Sequence, residues 1–393
     1  MITEKMKEKI PSWPPIYPET AEKLKEIYLS GRWSFNGEYE QKFSREFADY
    51  CNAKYGIFMA NGTVTLESAL TALGVGKGDE VIVPALTWMA TAMAVVYTGA
   101  TPVFVDIEAD TLCLDPEKAE KAITPKTKAI IPVHIYGSMA DMEKIMALAE
   151  KYNIGVVEDC AHAHGGVWNG RGVGSIGDVG SFSFQQSKSL SSGEGGICLT
   201  NNPDIYEKIF RFKHIGYNLG AQQGQADSGP PTGLICHNYR GTEFPASILC
   251  DALKHLKQQT ETRDKNAAII RGILSDIPGV RVQARGRLAD LQGYYAFSFM
   301  IEPEKLNDAS MADFQTRLNE KGVLAGRTYG PVYDHMLWSV PNEMFRKEDC
   351  SKADDICANK AFCLGQNWLL ADEDLVKALG ETIKETALSF AKK

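Results

Sequence analysis

The nine cysteines of this 393-residue chain are scattered from Cys51 to Cys363 without one Cys-x-x-Cys pair. That spacing fits thiols kept reduced in a cytoplasm better than a zinc site or a disulfide framework. No run approaches the roughly 18 consecutive apolar residues of a membrane helix. The opening "MITEKMKEKIPSWPP" is charged and lacks the apolar centre of a signal peptide. Positive charge is not in excess: 42 Lys and Arg stand against 50 Asp and Glu, a net −8. A nucleic-acid binder would need a basic stripe to neutralise phosphates. What these absences leave is a soluble, cytoplasmic enzyme with neither nucleic acid nor membrane as partner.

Present instead is an alternation of short apolar runs and amphipathic stretches. "YGIFMA" (55–60), "EVIVPA" (80–85), "TPVFVDI" (101–107), "KAIIPVHI" (128–135) and "IGVVEDC" (154–160) read as buried strands. Helices are predicted between them at 63–74, 88–99 and 141–152, the last with Met142, Ile145, Met146, Ala149 and Tyr152 on one face. Continuously apolar strands separated by helices predict an α/β fold, a mostly parallel sheet covered on both faces. Residues 216–237 are Gly- and Gln-rich without periodicity. A long helix is then predicted from about 243 to 277, ended by Pro278-Gly279. The remainder mixes strands and helices, so a large domain over 1–254 and a smaller α+β domain over 255–393 are expected.

Four stretches could carry chemistry. "GVGSIG" (172–177) fits the dinucleotide fingerprint, but that mechanism needs a strand before it and a helix after, and "DVGSFSF" follows. It reads as a glycine-rich connection. "EDCAHAHG" (158–165) sets Asp159 at the carboxyl end of a strand, where open α/β sheets place ligands. Its His162 and His164 lack an obvious third ligand, so no metal is expected. "ANGTVTLESAL" (60–70) is a strand–helix junction whose free N–H groups suit a phosphate, or where Thr63 merely caps the helix. "SFSFQQSKSLSSGEGG" (181–196) runs from an alternating strand into a Ser/Gly loop carrying Lys188. Phosphate cradle, strand-end acid and loop lysine are together the parts needed to hold pyridoxal phosphate. A carboxylate near the pyridine nitrogen favours its protonated, electron-accepting form, and a desolvated lysine can be a neutral amine.

The order "NGT", "PALTWMATAMAVVYTGATPVFVDI", "EDCAHAHG", "GDVGSFSFQQSKSLSSGEGG", "NYRGTEF" resembles the DegT/DnrJ/EryC1/StrS family of sugar aminotransferases, from about residue 15 to the carboxyl terminus. The resemblance implies a fold type I aminotransferase with pyridoxal 5'-phosphate as cofactor and ping-pong chemistry. Lys188 would carry the cofactor as a Schiff base and shuttle protons, Asp159 would face the pyridine nitrogen, and His162 would lie near its phenolic oxygen. Trp88 would stack on the ring. Gly62, Thr63 and Ser183 would bind phosphate, and Asn238 would reach the phosphate of a neighbouring subunit in a homodimer. "QQSK" resembles the branch that aminates scyllo-inosose and other free oxidised sugars with glutamine; nucleotide-sugar members often have His with Pro or Ala there. Gln185 and Gln186 are thus candidate acceptor contacts, and Arg240 and Arg327 candidate carboxylate contacts. The implied reaction moves nitrogen from glutamate or glutamine to a keto or aldehydo sugar, sugar acid or cyclitol. The alternatives are a nucleotide-linked keto-sugar acceptor, a sugar dehydratase, which has His where Lys188 stands, and a non-catalytic protein of the same fold.

Overall fold

Seven strands of one sheet come from the first half of the chain: β1 (Tyr55–Met59), β2 (Glu80–Pro84), β3 (Thr101–Val105), β4 (Thr127–Ile130), β5 (Gly155–Asp159), β6 (Val179–Ser183) and β7 (Gly196–Thr200). A computed structural model describes residues 1–221 and 233–390; residues 222–232, the middle of the Gly- and Gln-rich stretch, lie outside the described residues. A second sheet is built later in the chain from β8 (Val280–Val282), β9 (Ala296–Ile301), β10 (Gly326–Arg327) and β12 (Ala361–Gly365), in the order β8-β9-β12-β10. The intervening β11 (Arg346–Lys347) instead extends the first sheet, whose order is β1-β7-β6-β5-β4-β2-β3-β11.

Every pairing from β6 across to β11 is parallel, and only β7 runs against its neighbours. The carboxyl ends of β1, β2, β5 and β6 therefore open on one edge. Residues 60–63, 85–88, 159–162 and 184–188 follow those ends, which is why segments far apart in sequence meet there. The strand centres are fully buried, as continuous apolar runs require. Beneath β6, Phe182 and Phe184 pack edge-on against Phe47 and Phe43 with centroids 5.0 and 5.2 Å apart.

The predicted helices form at Gly62–Ala72, Ala90–Tyr97 and Met142–Tyr152. In the last, Leu148 joins Met142, Ile145 and Ala149 in the core, while Tyr152 at the frayed end turns its hydroxyl to Glu120. The helix Glu243–Leu274 runs unbroken through residue 254. Its Leu256 belongs to the large core and its Ala267 and Ile270 to a second one, so the two cores divide along this helix. Ile2 is buried in the second core and donates its N–H to the Lys321 carbonyl (2.8 Å), which ties the amino terminus to the later part of the chain.

The 172–177 connection has a structural task. Its N–H groups from Gly174, Ile176 and Gly177 donate to the buried Glu158 carboxylate at 2.9, 2.8 and 2.7 Å, and His134 Nε2–H adds a fourth bond at 3.2 Å. The His134 tautomer is fixed because its Nδ1 accepts the Ala140 N–H. Burial opposes the charge on Glu158, but these bonds outweigh it and hold its pKa below the ordinary value. Glu158 thereby clamps the glycine-rich turn to β5, on which Asp159 is the next residue.

Candidate active site

A cavity of about 670 Å³ opens at the carboxyl edge of the large sheet. Gly62, Thr63, Trp88, Asp159, His162, Ser183, Gln185 and Lys188 all line it, so eight residues singled out from sequence meet in one place. The helix that starts at Gly62 is capped by Asn61, whose Oδ1 accepts the N–H groups of Thr63 and Val64, each at 3.1 Å. Thr63 is therefore not the cap, and its hydroxyl stays with the cavity. Gly62 lies against Ser183 so closely that an added Cβ would sit 2.6 Å from the Ser183 Cβ. Only glycine permits this close approach, which brings the amino end of the helix and the Thr63 hydroxyl beside the Ser183 hydroxyl.

Asp159 is buried at the end of β5, and burial pushes its carboxyl up. Thr91 counters this by donating its hydroxyl to Asp159 Oδ2 (2.8 Å), and Thr87 stands 2.8 Å behind Thr91. Ala161 N–H donates to the other carboxylate oxygen. Lys188 is 9% exposed, and burial lowers its pKa to about 8 against the opposing pull of Asp159. Its Nζ lies 4.5 Å from the centre of the Tyr295 ring. His162 stacks on the same ring, centroids 4.0 Å apart, and burial drives its pKa well down, so the imidazole is neutral. Its Nδ1 accepts the Tyr136 N–H, which leaves the proton on Nε2.

Next to this cavity lies an outer one of about 570 Å³, sharing Gln185, Ser187, Tyr295 and Tyr329 with the first. Gln186 and Arg327 line it, as do Trp13, Gln366 and Asn367, none of which the sequence had marked. Gln185 Oε1 accepts from Ser187 N–H and Oγ–H at 2.8 and 2.7 Å, so its free hydrogen-bonding group is the amide NH₂. Trp88 is 41% exposed and tilts against Tyr329, so it is a wall and not core.

Asn238 and Arg240 line neither cavity. Asn238 is exposed, and the Arg240 guanidinium lies 5.4 Å over the Phe35 ring. His164 is buried, its pKa lowered to about 3, chiefly by burial. The ligand atoms that do converge belong to His134, Glu158 and Cys160, where the carboxylate is already saturated by its four donors. Tyr295, Tyr329 and Thr91 were missed because single tyrosines and threonines carry no motif. The pair in "GYYAFSFMIE", standing polar-tipped at the mouth of an apolar strand, was the one available signal.

A large α/β unit with a lysine at its open sheet edge and a smaller α+β unit beside it is the architecture of fold type I aminotransferases. An aminotransferase from Psychrobacter cryohalolentis superimposes with a TM-score of 0.88 over 97% of this chain and 99% of its own, at 30% identity. Residues 15–381 match the DegT/DnrJ/EryC1/StrS aminotransferase family, and the chain belongs to that family. It is an aminotransferase. Among its relatives are the L-glutamine:2-deoxy-scyllo-inosose aminotransferase of Streptomyces lividus, 36% identical over 84% of this chain and 80% of that one. The L-glutamine:scyllo-inosose aminotransferase of Streptomyces griseus is 35% identical over 83% and 79%. No helix among the described residues is long and apolar enough to cross a membrane.

Proposed function

We propose that this enzyme uses pyridoxal phosphate to move the α-amino group of L-glutamine onto the keto carbon of a free polyhydroxylated cyclohexanone, an inosose. Glutamine leaves as its 2-oxo acid and the acceptor becomes an amino-cyclitol. The observation that carries the reading is a buried lysine with a lowered pKa and a strand-end Asp in one cavity, opening into a second lined by carboxamides. Among the described residues Arg327 is the one charged side chain lining that outer cavity, a poor provision for the two phosphates of a nucleotide-linked sugar. The glutamine donor and the inosose acceptor are those named for the Streptomyces relatives.

The residues present fit the cofactor: the helix start at Gly62 with the Thr63 and Ser183 hydroxyls beside it would suit a phosphate, and Asp159 and Lys188 would suit the ring nitrogen and the aldehyde carbon. When bound, pyridoxal phosphate supplies an electron-accepting ring and a carrier for the nitrogen. Asp159, oriented by Thr91, holds a proton on the ring nitrogen, because a cation beside the carboxylate reverses the upward push of burial. Lys188 Nζ is neutral at mildly alkaline pH, so it could take the α-proton of glutamine and deliver a proton to the aldehyde-derived carbon of the cofactor. His162 offers Nε2–H to an anionic oxygen without adding a charge. Trp88 and Tyr295 exclude water from the reacting atoms.

The same reading includes a homodimer in which Asn238, exposed outside its own cavity, completes the phosphate site of the partner. Reconstituted enzyme given glutamine should lose its yellow colour and regain it with scyllo-inosose or its 2-deoxy form. A nucleotide-linked keto-sugar should not restore it. Restoration by the nucleotide-linked compound alone would replace the acceptor assignment.

A further inference from the structure

The carbonyls of Ser187 and Lys188, two consecutive residues of the lysine loop, are each held by a side chain that also lines the outer cavity. Gln366 Nε2 donates to the Ser187 carbonyl (2.7 Å), and Trp13 Nε1 donates to the Lys188 carbonyl (3.0 Å). Trp13 comes from the amino-terminal segment, 175 residues away in sequence. That segment is pinned to the small unit by Ile2 N–H on Lys321, by Asn367 Nδ2 on the Pro11 carbonyl and by the Lys9–Asp372 ion pair.

The indole is steadied from another side as well. The Arg263 guanidinium lies 5.1 Å from the Trp13 ring and is 1% exposed, with no hydrogen bond from Nε or either terminal nitrogen among the described residues. A buried cation without a counter-anion is costly, and the negative face of an indole is the compensation on hand. Burial lowers the Arg263 pKa to about 9, with Tyr17 opposing. An arrangement so demanding, built to seat one tryptophan at the edge of a cavity, needs a reason beyond packing.

We propose that Trp13 is a specificity-determining residue for the acceptor: its indole walls the outer cavity and, through the Lys188 carbonyl, keeps that wall in register with the catalytic lysine. This rests on the function proposed above. A scyllo-configured cyclitol carries every hydroxyl equatorially, so both ring faces present only C–H and all polar groups point outward from the rim. The outer cavity has the complementary form. Trp13, Tyr295 and Tyr329 give flat apolar surface, while Gln185, Gln186 and Asn367 give amides for a rim of hydroxyls. Glutamine has no such faces, so the Trp13 ring should govern binding of the acceptor and not binding of the donor.

The test measures binding of scyllo-inositol, which has the acceptor's shape but no carbonyl, to reconstituted enzyme by calorimetry, alongside the KM of glutamine. Trp13→Ala should weaken the polyol about tenfold or more, as loss of a buried aromatic anchor does, and leave the glutamine KM within about threefold. Trp13→Phe keeps a ring without the N–H donor. It should hold polyol affinity within about threefold yet slow the glutamine half-reaction, the signature of a misplaced lysine loop. A saturable change in indole fluorescence with scyllo-inositol should appear in wild type and vanish in Trp13→Phe, a readout that survives if Trp13→Ala does not fold. Unchanged polyol affinity in Trp13→Ala, a parallel rise in the glutamine KM, or no Trp13-dependent fluorescence change overturns the inference. If those results come from an enzyme that still aminates scyllo-inosose, the function stands and only the role of Trp13 falls. A wild type that neither binds the polyol nor aminates the ketone contradicts both.

Discussion

The imidazole of His162 and the phenol ring of Tyr295 lie face to face, centroids 4.0 Å apart and planes 16° from parallel. The Lys188 ammonium rests 4.5 Å from the same phenol ring. Tyr295 thus covers both the imidazole and the amine, the two groups given proton handling in the proposed reaction. Burial lowers the Lys188 pKa to about 8, and Tyr295 supplies part of that burial. Since a charged lysine cannot attack an aldehyde, uptake of pyridoxal phosphate by apoenzyme should quicken as pH rises through about 8. In Tyr295→Ala water reaches Nζ, so the midpoint should move up toward the ordinary lysine value. The cation–π contact works the other way, but at roughly 0.5–2 kcal/mol it is the smaller effect. Stopped-flow absorbance of cofactor uptake against pH reads the shift, and a downward move would reverse the assignment.

Gly62→Ala should force the helix start away from Ser183 and so disturb the proposed phosphate site. The added Cβ would stand 2.6 Å from the Ser183 Cβ and 3.1 Å from its Cα, and the second of these is backbone that cannot swing aside. Cofactor affinity is expected to fall at least about tenfold, roughly 1.4 kcal/mol, with inorganic phosphate losing its ability to compete. Equilibrium dialysis of the apoenzyme measures both.

Thr91→Val removes the hydroxyl that donates to Asp159 Oδ2 and keeps the shape of the side chain. Asp159 is already pushed up by burial, so one lost donor moves it further toward the neutral acid. The variant should lose about tenfold in kcat, a cost near 1.4 kcal/mol, with little change in the KM of either substrate. A rise in KM with kcat intact would place Thr91 in substrate binding.

Glu158→Gln tests the clamp behind the site. An amide cannot accept from three N–H groups and an imidazole N–H without turning its own NH₂ on one of them. The loss of stability should be about 3 kcal/mol in urea. Because the folded Glu158 pKa is depressed, the wild-type contribution is complete above the unfolded value near pH 4.5 and is lost as pH falls through the folded one. The gap between wild type and variant should therefore narrow in acid.

Mixed dimers test the proposed sharing of the site between two subunits. Lys188→Ala and Asn238→Ala subunits, each inactive alone, should regain activity when dissociated and reassembled together, since one of the two sites is then intact. Activity measured after gel filtration of the mixture decides it, and no gain would confine each site to its own chain.

The strands and the three large-unit helices were legible because apolar runs and helical periodicity are local properties of the chain. Lys188, Asp159 and Thr63 were legible because each follows a strand whose carboxyl end could be read. Trp13, Thr91 and Tyr295 were not, since their role comes from which elements the fold brings together. No local pattern in "PSWPP" says that its indole will reach a carbonyl 175 residues away. The capping by Asn61 was hidden for a smaller reason: Asn and Thr are both good caps, and only the turn decides between them. That one helix, Glu243–Leu274, serves two cores is likewise a property of the assembled fold and not of any local pattern.

The proposed reaction moves nitrogen from glutamine to a cyclitol ketone with Lys188 handling the protons, and one experiment addresses it directly. Wild-type and Lys188→Ala enzyme are loaded with pyridoxal phosphate, treated with isotopically labelled L-glutamine (¹⁵N at the α-amino group), freed of donor, and given scyllo-inosose. Mass spectrometry should find the label in an amino-cyclitol formed by wild type and none from the variant. Label that stays with glutamine in wild type, or reaches the cyclitol equally well in Lys188→Ala, would contradict the account.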